Sequence, residues 1–183
     1  MPDDQEQVSP SKIRIDVLSD VVCPWCFIGK RRLEKAIALN PDTPVEVHYR
    51  PYFLNDWIPR EGISREDYLT KKFGGVERYR SIAQRVAAAA AEEGLVYAID
   101  KIGRQPNTLD AHRLIRWAGE IDRAAQMKQR LMDLYFTQGA DLLDGYRACD
   151  AVTDRPSVVF AYTIKGWGLP IAGDPLNHAA LLS

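Results

Sequence analysis

Metal ligands and static crosslinks are scarce in this sequence: it has three cysteines and three histidines in 183 residues. A structural zinc site needs four ligands, and beyond Cys23 and Cys26 the chain offers only Cys149, His48, His112 and His178, none at finger spacing. Neither sign of charge dominates. Lys and Arg number 24 against 25 Asp and Glu, a net charge of −1, which argues against a general binder of nucleic acid or membrane surfaces. Lys71-Lys72 and Arg78, Arg80 and Arg85 read as solvated helix faces. No apolar run is long enough for a membrane span, and residues 1–12 are polar and acidic, without the basic and apolar regions of a signal peptide. The expected address is therefore the cytoplasm, where a cysteine pair is more plausibly redox-active than a fixed crosslink. Glycine (12) and proline (11) are too few for a disordered chain, and 46% hydrophobic residues suffice for one domain with a core.

The most informative stretch is Cys23-Pro24-Trp25-Cys26, placed where an alternating apolar run (Ile13, Ile15, Val17) gives way to a helical pattern. Cysteines at i and i+3 in a first helical turn can approach within the separation an unstrained disulfide needs. A disulfide closing so short a loop removes little chain entropy from the unfolded state, so a structural role is the weaker reading. Unpaired N–H groups and the positive end of the helix dipole stabilise an anion at such a position. The expectation is that Cys23 titrates below the ordinary thiol value and attacks, and that Cys26 resolves. Pro24 gives up an N–H that has no partner at a helix start, and Trp25 adds no charge.

Periodicity organises the rest. Residues 13–19 alternate as a strand, residues 26–39 carry Phe27, Leu33, Ala36 and Ile37 at helical spacing, and Val45 to Arg50 alternate again before Pro51. This predicts a β-α-β unit over residues 13–60, with the cysteines at the strand-to-helix turn where parallel α/β sheets place their sites. Residues 61–140 read as an all-helical insertion. Ser64 with Asp67 forms a capping box; Val76 to Glu93 is a helix ending at Gly94; Val96 to Gly103 is a connector. Asn107-Thr108 caps a helix with Ala111, Leu114, Ile115 and Ala118 on one face, and Ala124, Met127, Leu131, Leu134 and Tyr135 mark the next, before Gly139.

Three collinear segments then carry a family resemblance: Ser19-Asp20-Val21-Val22-Cys23-Pro24-Trp25-Cys26-Phe27-Ile28-Gly29-Lys30, Tyr49-Arg50-Pro51-Tyr52-Phe53-Leu54 and Asn107-Thr108-Leu109-Asp110-Ala111-His112-Arg113-Leu114. From Ile13 to about residue 140 the chain resembles the DsbA-related thioredoxin-fold oxidoreductases of the FrnE type. The resemblance implies an α/β, thioredoxin-like fold with a helical insertion and thiol–disulfide exchange at Cys23 and Cys26. It implies no bound cofactor, a protein or small-molecule disulfide as substrate, and glutathione or a thioredoxin system as electron partner. A neighbouring family, the kappa glutathione transferases and 2-hydroxychromene-2-carboxylate isomerases, shares the fold but generally has serine where Cys23 stands. A glutathione-dependent isomerase or transferase is the alternative from that side, and a non-catalytic remnant the alternative from another.

Supporting positions are Pro24, Trp25, Asn107, His112 and Pro170. His112 reads first as a hydrogen-bonded structural histidine near the edge of an apolar face, and second as part of a segment facing the cysteines across a cleft. Tyr49, Arg50, Tyr52, Phe53 and Trp57 read mostly as core beneath the helix that follows the cysteines. From about Asp141 the chain departs from the thioredoxin pattern. Gly168-Leu169-Pro170 is the nearest match to the family's cis-proline turn, and the residues after it break at once. Residues 141–183 instead resemble a fragment of the decarboxylase subunit of homodimeric pyruvate dehydrogenases, through Leu142 to Cys149, Arg155 to Gly168 and Asn177-His178. That resemblance makes His178 its sole inherited catalytic candidate, without the diphosphate-binding segment that thiamine diphosphate would need. The chain thus reads as a polar tail (1–12), a β-α-β unit (13–60), a helical insertion (61–140) and an atypical tail joined near residues 139–144. Val158 to Ile164 is the one strand-like segment available to cover the free edge of the first strand. Cys149 reads as a small buried apolar residue.

Overall fold

The computed structural model describes residues 12–144. Strand β1 (Ile13–Ser19) leads through a short turn into helix α1 (Pro24–Ala38), and β2 (Val45–Pro51) returns parallel to β1 in the register Ile13 to Val45 through Ser19 to Pro51. β-Branched residues at Ile13, Ile15 and Val17 face their partners Val45, Val47 and Tyr49 on one side of the sheet, as the period of two requires. Helix α1 starts with Cys23 as its N-cap and Pro24 in the first turn. The N–H groups of Cys26 and Phe27 both bond the Cys23 carbonyl, at 3.1 and 3.3 Å.

The insertion holds α2 (Arg65–Phe73), α3 (Val76–Glu92), α4 (Leu109–Gly119) and α5 (Ala124–Phe136). It is not wholly helical. Strands β3 (Ile63–Ser64) and β4 (Arg104–Gln105) pair antiparallel, and they fasten the start of α2 to the connector after α3. Two residues per strand give too little alternation to register in the sequence. The capping box forms as expected: the Ser64 hydroxyl accepts from the Asp67 N–H at 3.0 Å and donates to the Asp67 carboxylate at 2.6 Å. At α4 the expected cap divides between two residues. Thr108 is the N-cap but its hydroxyl does not bond the helix, while the Asn107 carbonyl oxygen accepts from Leu109 N–H at 3.0 Å.

One core joins the β-α-β unit to the helices. Phe27, with no exposed surface, meets Tyr97 and Phe136 at ring distances of 6.0 and 5.9 Å, and Ala90, Leu95, Ile102, Ile115, Met132 and Tyr135 complete the cluster. A smaller cluster of Ile58, Tyr68 and Leu69 lies under α2. The buried face of α5 is Lys128, Leu131, Met132, Tyr135 and Phe136, with the expected Ala124 and Met127 packed partly buried beside it, so the stripe includes a lysine. Residues 141–144 belong to this body: Asp141 pairs with Arg104 at 3.0 Å, and Leu143 is buried. The expected tail strand Val158 to Ile164, with Cys149, Pro170 and His178, lies outside the described residues.

The aromatic group after β2 departs from expectation. Tyr49 packs on the core, but Tyr52, Phe53 and Trp57 are 50, 41 and 36% exposed, and Arg50 pairs with Asp16 on the sheet surface. Among the described residues no layer closes over the chain as it leaves the strand end, so these rings stay partly exposed there. Lys71 covers the Trp57 ring at 4.3 Å.

Gly139 shows where the fold leaves no room. At φ +68° it lies so close to Lys101 that an added Cβ would stand 2.4 Å from the Lys101 Cβ and 2.8 Å from its backbone. Gly94 has a similar φ of +71° but open space around it. Gly94→Ala should therefore cost only the left-handed strain of about 1–2 kcal/mol, and Gly139→Ala clearly more, as read from urea unfolding midpoints of the two variants.

Candidate active site

The turn between β1 and α1 brings Cys23 and Cys26 together at the C-terminal end of the sheet. Both are free thiols and half-buried. Cys23 N–H donates to the Asp20 carbonyl at 3.3 Å, which closes the turn and sets the first helical residue. Pro24 directs its carbonyl to the Tyr97 hydroxyl, which donates at 2.9 Å and pins the connector after α3 against the helix start. Trp25 is 52% exposed beside the sulfurs.

The two thiols ionise as a pair. A hydrogen bond from Cys23 lowers the Cys26 thiol to about 6, against the rise that burial imposes, with further help from the Asp20 backbone and the Lys128 ammonium. The same bond, together with burial, drives the Cys23 thiol up, although the N–H groups of Cys26 and Trp25 reach it as the helix start dictates. The helix start supplies donors to Cys23 as expected, and the proton held between two half-buried sulfurs joins their ionisation into one coupled event.

Asp20 anchors the surroundings. It is wholly buried, and its Oδ2 accepts from the Leu54 N–H at 2.8 Å and from the Thr108 hydroxyl at 3.2 Å. His112 is 8% exposed, with Nε2 at 3.4 Å from Asp20 Oδ1 and its ring edge-on to Phe53 at 5.1 Å. That Nε2 faces the buried Asp20 carboxylate without a hydrogen bond among the described residues. Asn107 stands further off and tethers the loop, its amide donating to the Ile58 carbonyl at 2.7 Å.

Two lysines complete the setting, and sequence reasoning passed over both roles. Lys72 of α2, expected on a solvated face, donates to the Asn55 side chain and is drawn toward its charged form by Cys23 and Asp20 against the dominant effect of burial. Lys128 of α5 is 1% exposed, and burial lowers it to about 8 while Cys26 and Asp20 oppose that fall. The sequence did carry a signal for Lys128. It sits at the helical spacing of the stripe Ala124, Leu131, Tyr135, where an apolar residue is the default. Among the described residues no three His, Cys, Asp or Glu side chains cluster to hold a metal ion, and no helix is long and apolar enough to cross a membrane.

Residues 14–152 match the DSBA-like thioredoxin domain. The chain belongs to that family. The DSBA-like match runs past the expected junction at 139–144, in keeping with the packing of residues 141–144 on the core. Among solved structures the chain is similar to a "probable DsbA oxidoreductase" from Streptomyces coelicolor, at 30% identity and a TM-score of 0.65. The similarity covers 75% of this chain and 60% of that one, so the chain spans less than two thirds of that relative. No curated protein matches it significantly. The architecture is thus a DsbA-like thioredoxin fold, and oxidoreductase activity is supported at the level of the family.

Two outcomes follow from this geometry. Asp20→Ala leaves the Leu54 N–H and the Thr108 hydroxyl without their shared acceptor and should lower stability by about 2–4 kcal/mol in urea unfolding. In the reduced protein, the folded-state value of Cys26 near 6 lies below the ordinary 9, so folding binds fewer protons between those values. Stability relative to Cys26→Ser should rise from pH 6 to pH 9 and be lost again as pH falls through 6, as read from unfolding midpoints at each pH.

Proposed function

We propose that this DSBA-like domain is a dithiol–disulfide oxidoreductase working through Cys23 and Cys26, of the FrnE type. The observation that carries the reading is the pair of free thiols in one helical turn, sharing a proton that lowers the first ionisation to near pH 6. At neutral pH the pair therefore holds one negative charge. When that proton passes to Cys26, the thiolate is on Cys23, which occupies the helix start and receives the N–H groups of Trp25 and Cys26.

Cys23 Sγ attacks one sulfur of a substrate disulfide, forming a mixed disulfide and releasing the other substrate sulfur as a thiolate that takes up a proton. Cys26 then gives up its proton and attacks Cys23 Sγ. The Cys23–Cys26 disulfide forms, the second substrate thiolate leaves, and two electrons have passed from the pair to the substrate. Exchange in the opposite direction runs the same steps backwards. Glutathione or a thioredoxin system would return the electrons. Pro24 and Trp25 shape the rim, and His112 and Asn107 hold the loop opposite. Small disulfides are the expected preference, since Pro170, in its broken sequence context, is a poor counterpart of the family's substrate-binding proline.

Each cysteine can be tested by trapping. With glutathione disulfide at pH 7, Cys26→Ser should accumulate a mixed disulfide at Cys23, detected by intact mass and peptide mapping, and Cys23→Ser should accumulate little. Stable adducts in Cys23→Ser and none in Cys26→Ser would exchange the two roles, and adducts in neither variant would remove the pair from disulfide exchange.

A further inference from the structure

We propose that the cleft between β2 and the α4–α5 pair is a binding site for a small ligand that carries a carboxylate on an apolar body, with Lys128 receiving the charge at its inner wall. Lys128 also faces Cys26, so the site adjoins the sulfurs, but binding does not depend on their turnover.

The cleft encloses about 780 Å³ and runs from Glu46 along β2 to Phe53. Its walls are of two kinds. Val47, Leu109, Ile115, Ala124 and Ala125 supply apolar surface. The polar groups are mostly cationic, and their existing partners decide which are available. Arg50 is engaged by Asp16, and Arg113 by Asp110. Glu46 is engaged by Lys12 and His48. Arg116, exposed at the mouth, has no such partner among the described residues.

The inner wall is what makes this a site. Lys128 is buried to 1% exposure, yet it forms no hydrogen bond or ion pair among the described residues; its ammonium has only the face of the Tyr49 ring, at 5.4 Å. The other buried lysine shows the usual solution. Lys30 is 3% exposed and bonds both Glu34 and, at 2.8 Å, Gln129. A buried ammonium without a hydrogen-bond partner is costly; Cys26 and Asp20 only oppose the dominant effect of burial, and the neighbouring Lys30 adds repulsion. His112 lines the same cleft with its Nε2 turned to the buried Asp20 carboxylate at 3.4 Å. A ligand carboxylate would accept from Lys128, and its apolar body would lie along Val47, Leu109 and Ile115.

Binding should report on Lys128 directly. The titratable and charged groups facing it are Cys23, Cys26 and Lys30 of α1, Asp20 before the turn and Tyr49 of β2. Without ligand, burial holds Lys128 near 8, so at pH 8 about half is neutral, and a bound carboxylate favours the charged form. Complex formation at pH 8 should take up a fraction of a proton that shrinks toward pH 6.

Octanoate and octan-1-ol, titrated calorimetrically into the full chain in buffers of different ionisation enthalpy, test this. The expected result is saturable octanoate binding with proton uptake at pH 8, about tenfold weaker or worse for the alcohol, for Lys128→Met and for the exposed variant Arg116→Ala. Lys128→Met keeps the side chain's length and removes the unpaired charge, so its melting temperature should not fall. No saturable octanoate binding, equal binding of acid and alcohol, or unchanged affinity and proton uptake in Lys128→Met would overturn the proposal. Trapping at Cys23 and Cys26 is read separately, so failure of one assignment leaves the other standing.

Discussion

The Asp20 side chain, without any exposed surface, is the constraint on which the rest of the site depends. One carboxylate oxygen holds the Leu54 N–H, just past β2, and the Thr108 hydroxyl, at the start of α4, while the residue's own carbonyl holds the Cys23 N–H. Three stretches far apart in the chain therefore meet at one buried charge. A buried carboxylate is tolerable only where donors surround it, so the turn, the loop after β2 and the α4 start must arrive together. The strand-to-helix geometry of the cysteines is a consequence of that convergence as much as of local helix propensity.

The electrostatics around the sulfurs belong to the same arrangement. Negative charge gathers at Asp20 and at the shared proton of Cys23 and Cys26, and lysines from two different helices, α2 and α5, face it. Burial disfavours the charged form of both lysines, while the thiols and Asp20 favour it. The helical insertion is thus part of the chemistry. It supplies the two lysines that face the sulfurs, and Tyr97 from its connector fixes the carbonyl of Pro24.

Membership of the DSBA-like thioredoxin-domain family and the likeness to a DsbA oxidoreductase over 75% of this chain agree with this layout. Within that frame the described residues include a buried lysine without a hydrogen bond, a histidine nitrogen set against the buried Asp20, and exposed Tyr52, Phe53 and Trp57 around the site. The aromatic residues are surface that the described fold leaves available.

Local signals in the sequence were enough for the elements and the thiol pair. Alternation at Ile13, Ile15 and Val17, the Pro24 helix start and the Ser64 cap act within a few residues of themselves, so their effects are legible one window at a time. The family resemblance likewise rested on contiguous words around Cys23, Tyr49 and Asn107. Tertiary structure alone decided what met what. The β3–β4 pair joins residues about forty apart, Thr108 leaves its helix cap to serve Asp20, and Tyr52, Phe53 and Trp57 after β2 stay partly exposed. It also decided that the thiols ionise as a pair and where Lys128 lies, because both depend on desolvation and on charges brought from distant helices, and those are summed through space and leave no periodic mark along the chain.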